Sequence, residues 1–159
     1  YWISHIDDTD IGTESEEKEL KQMMVILDKI SSSTKTSPVV AELAAEALRQ
    51  NSYWKRWEGK NLQIEDDIRR AAKIMKGQSN PTEYKSFSNA LMVIATSVAR
   101  AFREEPENEP EHENYFSWIS EKARELSLAL NDSSAHKDLS VSPAEDTALN
   151  ELFTILNEA

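Results

Sequence analysis

Apolar residues recur three and four positions apart through most of this chain, and few glycines interrupt them. The clearest run is "YKSFSNALMVIATSVARAF", where Tyr84, Phe87, Leu91, Ile94, Ala95, Val98 and Phe102 keep a helical rhythm. That spacing places one stripe of side chains on one face of an α-helix. No segment keeps the period-two alternation of a half-buried strand. The 159 residues include only 3 Gly and 5 Pro, too few tight-turn formers for a sandwich or barrel. The expectation is an all-α fold: one globular bundle of six or seven helices, without a sheet, spanning residues 1–159 as one domain.

Capping signals divide the chain. Thr13 and Glu16 stand at capping-box spacing and open a first helix, with Leu20, Met23, Met24, Leu27 and Ile30 facing inward. "SSSTKTS" breaks it. Ser37-Pro38 starts a second, striped by Val40, Leu43, Ala44, Ala47 and Leu48. A third runs from Leu62 to Met75 and is expected to end at Gly77. Asn80-Pro81 opens a long central helix reaching about Arg103. Another helix is expected over 113–131, striped by Phe116, Ile119, Ala123, Leu126 and Leu130. The last has the sharpest start: in "SPAE" Ser142 is the N-cap, Pro143 the first helical residue, and Glu145 closes the capping box. Residues 1–12 read as a strap, 104–112 as an acidic loop between helices, and 131–141 as a second loop.

Charge narrows the partners. The net charge is −11, which disfavours nucleic acid and anionic membrane, both held mainly by Lys and Arg. No run is long and apolar enough to span a bilayer. No signal-peptide pattern is visible, so the reading is cytoplasmic. The chain holds no cysteine, which excludes disulfides, thiolate metal sites and cysteine nucleophiles. Residues 49–76 carry eight Lys or Arg against four acids, whereas 103–113, "REEPENEPEHE", carry six Glu and one Arg. Such patterning suits either a docking surface for self-association or charged faces that pair within the fold or meet water.

Chemistry-bearing motifs are scarce. The chain has no P-loop, G-x-G-x-x-G, G-x-S-x-G or HExxH. His5, His112 and His136 are far apart. "DDTDIGTESEE" fails the calcium-loop pattern, because setting Gly12 at loop position six puts Lys18 at position twelve. The glutamate stretch offers oxygen ligands suited to Ca²⁺ or Mg²⁺, without a glycine to make the turn; the plainer reading is a solvated linker. "YWKRW" brings Tyr53, Trp54 and Trp57 beside Lys55 and Arg56, a stacking arrangement single-strand binders use. Core packing is the plainer account of those rings.

Two segments together resemble the tellurite-resistance TerB-like helical domain. "YKSFSNALMVIATSVARAFREE", residues 84–105, is similar to that family's alanine-rich central helix leading into an acidic loop. "VSPAEDTALNELFTIL", residues 141–156, is similar to its segment in which Ser-Pro-x-Glu opens a helix. The resemblance implies an all-helical, bacterial, cytoplasmic protein linked to tellurite or general chemical stress. It also implies divalent-metal binding by acids between helices, with Glu104, Glu105, Glu145 and Asp146 in the corresponding region. TerB-like domains typically carry an Asp-Gly pair in the acidic loop, and this chain has glutamates and no glycine there.

The functional expectation is a non-enzymatic helical binding or adaptor domain with weak binding of a divalent cation such as Ca²⁺ or Mg²⁺. The alternative is a metal-free protein-interaction or regulatory module, homodimeric or with another protein, whose marker would be an exposed apolar patch near "YWI" or "YWKRW". An enzyme of unrecognised type and an acidic DNA mimic rank behind these.

Overall fold

The computed structural model describes residues 2–3, 13–57, 63–101, 121 and 141–159, without the side chains of 13–16, 55 and 57. Among the described residues the chain is helical and has no strand. Five α-helices occur there: α1 (Thr13–Ser32), α2 (Pro38–Arg49), α3 (Ile64–Gln78), α4 (Pro81–Arg100) and α5 (Pro143–Glu158). A 3-10 helix, Asn51–Trp57, follows α2. The sequence led to six or seven helices; of the one expected over 113–131 only Glu121 is described, helical and exposed, and most of the N-terminal strap and of the two expected loops lies outside the described residues.

Three of the helix starts follow one local rule. Ser37, Asn80 and Ser142 each sit in extended backbone just before a proline, and each side chain accepts a hydrogen bond from a first-turn N–H. Proline fixes a helical φ, and its missing N–H is one of the donors a helix start leaves unpaired anyway. At α4 the Asn80 Oδ1 accepts from the N–H groups of Thr82 and Glu83, both at 3.0 Å. The Glu83 carboxylate accepts in return from the Asn80 N–H at 3.1 Å. Ser37 also reaches across the fold: its N–H donates to Ser86 Oγ of α4 at 3.0 Å. The turn between α1 and α2 is thereby tied to the third helix it meets.

The end of α3 corrects the expectation for Gly77. The helix passes through Gly77 to Gln78, and Ser79 is the cap, with its N–H bonded to the Met75 carbonyl. Ser79 and Asn80 are extended. A residue before proline is pushed out of the α region, so the stop comes from Pro81 acting on Asn80.

α4 packs against every other α-helix of the described residues, as expected of a central helix. From Ala95 to Ala99 every residue is buried, because α1, α2, α3 and α5 surround it. Ile26 and Ile30 of α1, Val40 and Ala44 of α2, Ala72 of α3 and Leu149 and Leu152 of α5 complete one core cluster. Burying an isoleucine or leucine of this kind contributes about 1.5–3 kcal/mol. Ile3 joins the same cluster and Trp2 packs on it.

The apolar stripes are wider than the packed faces. Met24 and Leu43, expected inside, are 40% and 48% exposed. Phe87 and Leu91 are only partly buried, whereas Met92 and Val93 are buried in the core.

Candidate functional site

Glu145 and Asp146 stand in the first turn of α5. Ser142 and Glu145 are both buried. The Ser142 N–H donates to Glu145 Oε2 at 2.7 Å, and the Glu145 N–H donates to Ser142 Oγ at 3.2 Å. Burying a carboxylate costs free energy unless it gains a partner. Here a backbone donor and the positive end of α5 provide it. One oxygen of Glu145 is therefore committed to holding the helix start. Asp146 points along its own helix, with Asn150 Nδ2 at 3.5 Å from its carboxylate, the long limit for such a bond.

Glu104 and Glu105, the other two candidates for a divalent cation, lie outside the described residues. So do His5, His112, His136, the rest of "REEPENEPEHE" and the acids of "DDTDIG". Among the described residues, no group of three or more His, Cys, Asp or Glu could hold a metal ion.

No family model, curated protein or solved structure matches this chain. The TerB-like resemblance thus rests on its own two segments, and the fold brings those segments together. The Tyr84 hydroxyl of α4 donates to the Leu156 carbonyl of α5 at 2.6 Å.

The "YWKRW" aromatics separate. Trp54 is buried and its indole N–H donates to the Ala47 carbonyl at 3.0 Å. That bond folds the 3-10 helix back onto α2, and it satisfies the one polar atom that burying an indole would strand. Tyr53 does not share the core: it is 50% exposed, with the Arg56 guanidinium 5.0 Å from its ring centre. The Trp57 side chain is outside the description. Of "YWI", Ile3 is buried and Trp2 is partly buried against the core.

Among the described residues, the large exposed apolar side chains other than Tyr53 lie elsewhere. Val39 and Leu43 are one turn apart on α2, Met24 and Val25 adjoin on α1, and Ile74 stands on α3. Beside Leu43 runs a charged network. Arg49 bridges Glu42 at 2.8 Å and Glu46 at 2.7 Å. Gln50 Nε2 also donates to Glu46 at 2.7 Å. Donors from Gln50 and then Arg49, with the arginine's charge, hold the Glu46 carboxyl below its usual range. The same carboxylates raise Arg49 further above its already high value.

One polar contact inside the bundle was missed by sequence reasoning. Gln22 Nε2 of α1 donates to Ser97 Oγ of α4 at 3.1 Å. Ser97 and its neighbour Thr96 are fully buried, and Glu19 is buried one turn before Gln22. The available signal was Thr-Ser inside the apolar run "ALMVIATSVA". No helix among the described residues is long and apolar enough to cross a membrane.

Proposed function

We propose that this chain is a non-enzymatic helical adaptor module that works through protein contacts, with a second copy as the first partner to test. The observation that carries this reading is the pair Val39 and Leu43, 43% and 48% exposed on the outer side of α2. Residues four apart on a helix share a face. Leaving two large aliphatic side chains in water forgoes stabilisation that burial would supply, and adjacent exposed apolar groups are a feature of interaction surfaces. Glu42, Glu46 and Arg49 give that pair a charged border, in keeping with the polar rim of a protein interface.

Sedimentation velocity over a wide concentration range tests the reading, using wild type and the Val39→Glu, Leu43→Glu double variant. A concentration-dependent dimer that the double variant abolishes is the expected result. A monomer at every concentration, unchanged by the double variant, would sink self-association through α2.

The second reading is the TerB-like one, with its link to tellurite or chemical stress and weak divalent-cation binding. It rests on the likeness of residues 84–105 and 141–156, two segments that touch where Tyr84 meets Leu156. Calorimetric titration of chelator-stripped protein with Ca²⁺, Mg²⁺ and Mn²⁺ tests it. Saturable heat with a raised melting temperature favours the metal reading; no heat with any of the three ions removes it.

A further inference from the structure

We draw no further inference here: the strongest candidate, the outer face of the second half of α3, where Ile74 is 52% exposed beside Arg70 and Lys73, carries nothing because Arg70 already pairs with Asp67 and nothing in the structure shows what covers the exposed isoleucine.

Discussion

The Tyr84 hydroxyl donates to the Leu156 carbonyl at 2.6 Å and joins the first turn of α4 to the last turn of α5. The last four carbonyls of a helix have no partner within it, and Leu156 supplies one of these for α5. Tyr84 therefore caps α5 from outside while its ring packs beside Phe87. Tyr84→Phe keeps the ring and removes the donor. It should lower stability by about 1 kcal/mol, the usual net worth of such a bond. Urea unfolding of both proteins measures it; equal midpoints and slopes would mean that water replaces the hydroxyl at no cost.

Ser142→Ala should cost about 1 kcal/mol, and up to about 2, because it removes the α5 N-cap. The loss should lie at the upper end of that range, since Ser142 and Glu145 are buried and water cannot easily take over the freed Glu145 N–H. Thermal melts of Ser142→Ala and Ser142→Asp check this. Aspartate should recover part of the loss by capping the same N–H, and equal melts for all three proteins would show that α5 does not depend on this cap.

Gly77→Ala should stabilise the protein by about 0.5–1 kcal/mol. Gly77 lies inside α3, is exposed, and has no atom within 4 Å of where a Cβ would stand. Alanine loses less backbone entropy than glycine in a helix. Chemical denaturation measures the gain. A destabilised variant would mean that α3 ends at Gly77 in solution, with that residue in a conformation only glycine tolerates.

These sites show what could be read from the residues alone. Ser37-Pro38, Asn80-Pro81 and Ser142-Pro143 each start a helix where the dipeptide says, because capping and the proline ring act locally. Gly77 misled because glycine near a helix end has two readings, and the proline four residues later decides between them. Met24 and Leu43 misled for another reason. A helical stripe shows which side chains share a face, but the neighbouring helix decides how much of that face is covered. Gln22 and Ser97 are 75 residues apart, and no local pattern pairs them. Glu145 was legible as a cap; the TerB-like resemblance alone offered it as a cation ligand, and the geometry shows one of its oxygens taken by the Ser142 N–H.

The Glu46 carboxyl should titrate below the ordinary glutamate value, with Gln50 as the first cause and Arg49 the second. Its folded value is lowered, so its contribution to stability is present above the unfolded value and is lost as pH falls through the folded one. The Glu46 side chain is exposed to solvent, which keeps that contribution small. Side-chain NMR titration of wild type and Gln50→Ala checks the assignment. The midpoint should rise in the variant; an ordinary midpoint in wild type would show that the Glu42–Arg49–Glu46 network does not persist in solution.

Thr96→Val should stabilise the protein. Thr96 has no exposed surface, and among the described residues its hydroxyl has no hydrogen-bond partner. A buried hydroxyl without a partner carries a desolvation cost of about 1–3 kcal/mol. Valine has nearly the same shape and no polar atom, so it removes that cost without opening a cavity or forcing the packed α4 face apart. A gain of about 1 kcal/mol is expected. Thr96→Ser separates the two contributions: it keeps the hydroxyl, deletes a methyl from a tightly packed site, and should destabilise. If valine instead lowers stability, the Thr96 hydroxyl makes a hydrogen bond in solution, and the α4 core is more polar than its apolar sequence run suggests.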